Sequence, residues 1–249
     1  MNQLIASTVL VGIAIVIIEI RRLGVGKDLI VGAIRSFLQL MAVGFVIDFV
    51  FDLRAVQYQA LLLLAMILVA SLTARGRAKS VRYAFPIAFV SILSGTAATV
   101  GVMLALGIID TRPTYLIPLG GMMIGNSMNA IALGFDRITS EVSDKRGQVE
   151  AALSLGAPPA KALQEMIRNS VRASLLPLMN MMKVIGLVHL PGAMTGMLLA
   201  GAAPLDAARI QLVVMYMLAA SGTVTVLVSS LFLHKAFFNR SWQLVIGRS

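Results

Sequence analysis

The residues able to do chemistry in this chain are few, and they are scattered through apolar sequence. Arg35 and Lys183 stand inside hydrophobic runs, and Glu19 closes another. An ionisable group within a membrane helix costs about 2.5–3.5 kcal/mol on insertion scales, so it faces a cavity or a partner. Counted along the helix, Arg35 and Lys183 lie roughly 10 Å from the cytoplasmic ends of their spans, within reach of snorkelling, and Glu19 lies near the same depth. Gln39 is four residues beyond Arg35 and Asn129 is three beyond Asn126, so each pair shares a helical face. His189 shortly precedes Pro191, and Met194 and Met197 follow. Two readings of Arg35, Gln39, Asn126, Asn129, Lys183, His189 and Met194 stay open. They anchor and hydrogen-bond neighbouring helices, or they line a substrate path.

Metal chemistry is limited by residue type. The chain has no cysteine, which excludes disulfides, thiolate metal sites and cysteine nucleophiles, and its two histidines, His189 and His234, are far apart. Methionines gather at Met122, Met123 and Met128, at Met179, Met181 and Met182, and at Met194 and Met197. Thioethers suit Cu(I) and hold iron weakly, so most of these read as packing. A site built from His189 with Met or Asn ligands would be weak, as a transport site that releases its cargo must be; the metal ligands themselves stay unassigned. No Ser-His-Asp set or paired carboxylates converge, so the chain does not read as an enzyme.

Nor does it hold an ATP site. Gly24-Val25-Gly26-Lys27-Asp28 is reminiscent of a P-loop, but that motif needs G-x-x-x-x-G-K-[ST] after a strand. Arg21 stands in place of the first glycine and Asp28 in place of the hydroxyl residue. No cofactor is expected on this chain, and ATP-driven work would need a partner.

One polar stretch differs from the rest: Glu150-Ala151-Ala152-Leu153-Ser154-Leu155-Gly156. Val149, Ala152, Leu153 and Gly156 recur at the helical period, and Gly156 followed by Pro158-Pro159 is a stop signal. A second amphipathic run, Leu163, Met166, Ile167, Ser170, Val171 and Ser174, carries Arg168 and Arg172 on another face. Together they predict helix, tight turn, helix along a membrane surface.

The elements that position these residues are membrane helices. With 58% apolar and 13% charged residues in 249, the chain is too apolar for a soluble domain. It is expected to be an all-α integral membrane protein, a single domain over 1–249. Seven stretches are long enough to cross the hydrocarbon core: roughly 4 to 20, 29 to 51, 55 to 73, 84 to 109, 115 to 138, 175 to 201 and 210 to 233. The net charge of +10 comes from basic residues clustered between these runs, which points to the positive-inside rule and away from nucleic acid. Alternating the connections puts sixteen basic residues on one side and three, Arg54, Arg112 and Arg209, on the other. The N-terminus is then outside, the C-terminus cytoplasmic, and the long connection 139–174, holding the Glu150 stretch, cytoplasmic. Gly121-x-x-x-Gly125 and Gly192-x-x-x-Gly196 predict a close crossing of the fifth and sixth spans.

The pattern E-A-A-x-x-x-G at Glu150, Ala151, Ala152 and Gly156 resembles the cytoplasmic coupling loop of ABC transporter permeases, which docks on an ATP-hydrolysing subunit. Importers continue with Ile and Leu-Pro at set distances, whereas here Ile167 falls a residue late and Leu176-Pro177 lies further on. Ile34-Arg35-Ser36-Phe37-Leu38-Gln39-Leu40, Pro118-Leu119-Gly120-Gly121-Met122-Met123-Ile124-Gly125-Asn126-Ser127-Met128-Asn129 and Leu190-Pro191-Gly192-Ala193-Met194-Thr195-Gly196-Met197 resemble Fet-type iron-export permeases, whose relatives include plant aluminium-tolerance permeases. The resemblance spans nearly the whole chain. It implies a half-sized permease in the inner (plasma) membrane, among lipid, pairing with itself and with a separate cytoplasmic ABC ATPase that holds ATP and Mg, and moving iron out. The alternative is an ion-coupled secondary transporter of a metal or small solute, with Glu19, Asp48 or Lys183 as the coupling group. Such carriers often show an inverted internal repeat, and none is evident here.

Overall fold

Two units divide the chain, Met1–Leu53 and Arg54–Ser249. The computed structural model describes residues 2–52, 55–78, 81–239 and 242–245. Arg54, Lys79, Arg240 and Arg248 of the charge census, and the Asp48 side chain, lie outside the described residues.

The first unit is a helical hairpin. α1 (Asn2–Ile20) is apolar to its last turn. Its end is closed by Arg22 at φ 51°, whose N–H bonds the Glu19 carbonyl at 3.0 Å while Leu23 N–H bonds Ile18 at 3.1 Å. α2 (Gly26–Phe51) opens on a buried glycine. A Cβ at Gly26 would strike the Glu19 carboxylate. That carboxylate therefore serves the positive end of the α2 dipole, nine residues before Arg35.

The second unit runs α3 (Val56–Arg77), α4 (Ala84–Ala105), α5 (Pro113–Asp144), α6 (Arg146–Ser154), α7 (Pro159–Ala162), α8 (Gln164–Val184), α9 (Gly192–Leu199) and α10 (Pro204–Ala236). α5 and α10 each start on a proline, whose missing N–H costs nothing in a first turn. Among the described residues five helices are long and apolar enough to cross a membrane: α2 to α5 and α10.

The expected sixth span, 175 to 201, is not one helix. α8 ends at Val184, Gly186 takes φ 82°, and its N–H bonds the His189 carbonyl at 2.9 Å before Pro191 caps α9. Proline supplies no N–H and disfavours helix at the residue before it. The break thus falls at Ile185 to Leu190. Within α8, Ser170 and Ser174 bond back to the carbonyls of Met166 and Ser170, each at 2.8 Å, and Pro177 follows.

α5 is central, touching α3, α4, α8 and α10, while α4 lies along α10. Small residues make the approaches close. A methyl at Gly95 of α4 would sit 2.7 Å from the Ser221 carbonyl of α10; at Gly120 of α5, 2.5 Å from Leu63 Cδ2 of α3; at Gly134 of α5, 2.7 Å from Ser174 Oγ of α8. The expected pairing through Gly121, Gly125, Gly192 and Gly196 is not the one used. Gly121 faces Met66 of α3, and Gly125, Gly192 and Gly196 face open space. The broken helix explains this, because the α5 partner is α8, which meets it at Gly134, ahead of the break.

At one end of the unit, Ile138, Val142, Leu163, Met166, Leu233 and Phe237 form a buried cluster. Overpacking such contacts costs about 1–3 kcal/mol. Gly95→Leu is therefore expected to lower the thermal unfolding midpoint of the detergent-purified chain by several degrees. Gly192→Leu is expected to leave it unchanged; a larger loss from Gly192→Leu would restore the crossing expected from sequence.

Candidate functional site

α6 forms because one face has something to cover. Val149 is fully buried in the end cluster, with Leu153 packed against it one turn on. The opposite face is open. Glu150 is exposed and, among the described residues, pairs with Arg146 alone, one turn back, Nε to Oε1 2.7 Å, while Ser154 Oγ donates to the Glu150 carbonyl at 2.9 Å. Ala151 is exposed and Ala152 half-buried. Leu155, an aliphatic side chain at a helix end, is 89% exposed. An exposed ion pair of this kind contributes about 0–1 kcal/mol, so Glu150 exchanges partners at little cost.

Gly156 fixes the turn. At φ 84° its N–H bonds the Leu153 carbonyl at 2.9 Å and Ala157 N–H bonds Ala152 at 3.0 Å, the Schellman pair that ends a helix on a left-handed residue. Pro158 then leads into α7. The face presented is Glu150, Ala151, Ser154 and Leu155, ended by a sharp reversal.

Behind α6, Glu141 joins α5 to α8. It is 6% exposed and receives Arg137 Nη2 at 3.0 Å, Asn169 Nδ2 at 3.3 Å and Lys145 Nζ at 3.9 Å. A buried carboxylate needs such donors, since an unpaired one is several kcal/mol unfavourable. Sequence inspection passes over Glu141. The spacing Arg137, Glu141, Lys145 was a usable signal, but Asn169 is 28 residues away and was not.

A cavity of about 260 Å³ opens further along α5. Asn126, Asn129 and Leu133 line it from α5, Ser174 and Pro177 from α8, and Arg77 from the end of α3. Asn126 Nδ2 donates to the Leu218 carbonyl at 3.3 Å, which anchors it to α10. Asn129 is exposed. Asn126 thus bonds a neighbouring helix and also lines the cavity.

The other candidates gather elsewhere. Lys183, His189 and Met194 surround the α8 to α9 break, with Lys183 and His189 exposed, and they do not line this cavity. Arg35 and Gln39 are exposed on α2 in the first unit. The methionines divide: Met103, Met123, Met215 and Met217 are buried together, with Met181 and Met182 against them. Among the described residues no three His, Asp or Glu side chains converge as a metal site.

A family model described as Uncharacterised protein family (UPF0014) matches residues 1–238. The chain belongs to the UPF0014 family. UPF0014 relatives include the UPF0014 membrane protein STAR2 of Oryza sativa subsp. japonica, 39% identical over 240 residues, 96% of this chain and 84% of that protein. Protein ALUMINUM SENSITIVE 3 of Arabidopsis thaliana is 35% identical, covering 96% and 88%. The Probable iron export permease protein FetB of Escherichia coli (strain K12) is 32% identical, covering 98% and 95%. No solved structure matches the chain. The resemblance to Fet-type and plant permeases is met, and this UPF0014 chain is an all-α, multi-pass membrane protein.

Burial separates the two glutamates. Glu141→Ala, which strands buried donors, is expected to cost about 3 kcal/mol in unfolding free energy. Glu150→Gln is expected to cost less than ~1 kcal/mol. Denaturant titration followed by circular dichroism checks both.

Proposed function

We propose that this chain is the membrane-spanning permease subunit of an ATP-driven ABC transporter that exports iron, acting in the inner membrane as a homodimer with a separate ATPase. The α6 face carries the reading. A leucine 89% exposed beside an exposed, exchangeable glutamate on a helix anchored by Val149 is a surface suited to a protein groove. The iron-export description of a relative aligned along 98% of this chain supports the cargo.

Force applied to α6 has a defined route. Val149 transmits it to the end cluster, and Glu141 holds α5 and α8 together beside that cluster. The same two helices, through Asn126, Asn129 and Ser174, wall the cavity. A tilt of α5 against α8 opens or closes it, which is the motion alternating access requires. Amide and hydroxyl oxygens are weak ligands that release cargo. Arg77 adds positive charge and, among the described residues, no carboxylate lines the cavity, so it suits an anionic iron complex better than a bare cation. ATP and Mg²⁺ reside on the partner in this scheme.

Glu150→Lys and Gly156→Val are expected to abolish co-purification of the partner ABC ATPase while the permease still inserts. Normal co-purification and cargo-stimulated hydrolysis in both variants would overturn the coupling role. In the reconstituted complex, ferric citrate is expected to stimulate hydrolysis more than free Fe²⁺, copper, zinc or aluminium.

A further inference from the structure

One concavity in the second unit belongs neither to the α6 face nor to the asparagine cavity. It is a groove of about 770 Å³ where α4 begins and α10 ends, on the end of the unit that carries α6. Arg82 and Lys235 give it two cations beside the His234 imidazole, Tyr83 and Trp242 its aromatic rim, and Pro158 to Ala160 its far wall. Among the described residues no carboxylate lines it. Two cations bordering one groove attract an anion to it.

The aromatics are held in place. Tyr83 takes φ 61° as the residue before α4, and Arg82 Cζ lies 4.9 Å from the centre of its ring. Trp242, also at φ 61°, sits on a turn closed by Asn239 N–H to the Gln243 carbonyl at 3.1 Å and Val245 N–H to Phe237 at 2.8 Å. Left-handed backbone at two bulky aromatics is uncommon, and such residues cluster at binding sites.

What distinguishes the occupant is the neighbouring surface. Tyr83 and Lys235 also border a second groove of about 280 Å³, lined by Pro86, Ile87, Val90 and Phe232 and almost wholly apolar. It runs from the basic groove along the outer sides of α4 and α10, two helices long and apolar enough to span the membrane. An anion site opening onto an apolar channel at the headgroup level matches one ligand class: the phosphate goes among Arg82, His234 and Lys235, and an acyl chain follows the second groove. Tyr and Trp belong at that depth. We infer that this paired groove binds an anionic phospholipid, seated against the turn that follows α6.

Trp242 is the single tryptophan of the chain, so its fluorescence reports this site alone. The full-length chain in detergent is titrated with phosphatidylglycerol, and separately with phosphatidylcholine, each brominated near the headgroup end of its acyl chains. Phosphatidylglycerol is expected to quench Trp242 at about tenfold lower concentration, as two or more cations near an anionic headgroup imply. Arg82→Gln and Lys235→Gln, singly and together, are expected to erase the preference without changing the elution volume, and Lys235→Arg to keep it. Equal quenching by the two lipids overturns the proposal. Inorganic phosphate that removes the preference, when chloride at equal ionic strength does not, assigns the site to a soluble phosphate and also overturns it. The measurement needs neither ATPase nor cargo, so it succeeds or fails independently of the transport reading.

Discussion

The second unit depends on how closely α5 and α10 approach. Ser127 Oγ lies 3.0 Å from Ser221 Oγ, Thr225 Oγ1 donates to Ser127 at 3.1 Å, and Asn126 reaches the Leu218 carbonyl. In lipid the hydrophobic effect no longer drives helices together, so packing and hydrogen bonds across the contact must do so. Gly222 permits the approach: a methyl there would sit 3.1 Å from Asn126 Nδ2. The α4 contact at Gly95 presses on the same segment of α10, against Ser221 and Thr225. Three helices therefore share one knot of small and hydroxylated residues, and the longer side chains are arranged around it.

That knot divides α5 by role. Before it, Gly120 and Gly121 seat the helix on α3. At it and just beyond it, Asn126 and Asn129 line the cavity, and further on Gly134 and Glu141 fasten α8. The helix is fixed near its middle by contacts that tolerate no added atom, and its far end is held by the packing of Ile138 and Val142 together with the Glu141 hydrogen bonds.

Much of this was legible in the sequence, and what was not has physical causes. The apolar runs marked α2 to α5 and α10, because period and length suffice to identify a spanning helix. The break at Ile185 to Leu190 had its signal in Gly186 and Pro191, yet hydropathy summed across it still reads as a span. The Gly-x-x-x-Gly pairs indicated close crossings without naming partners: spacing reports a smooth face, and only the tertiary fold decides whether Leu63 or open space lies over it. Glu141 escaped notice since a carboxylate in a polar connection reads as solvated until burial is known. The Arg82, Lys235 and Trp242 groove joins residues more than 150 positions apart, beyond any local pattern.

Ser170, Ser174 and Pro177 have one more consequence. Each serine hydroxyl shares a carbonyl already used by the helix, which tends to bend it, and the proline removes a rung three residues later. Those two turns of α8 are where it bends most readily, between its attachment to α5 and the stretch at Met181 and Met182 that packs on the buried methionines. A bend of a few degrees at the serines displaces Lys183, nine residues beyond Ser174 on the same helix, by about an ångström, with no helix needing to slide past its neighbour.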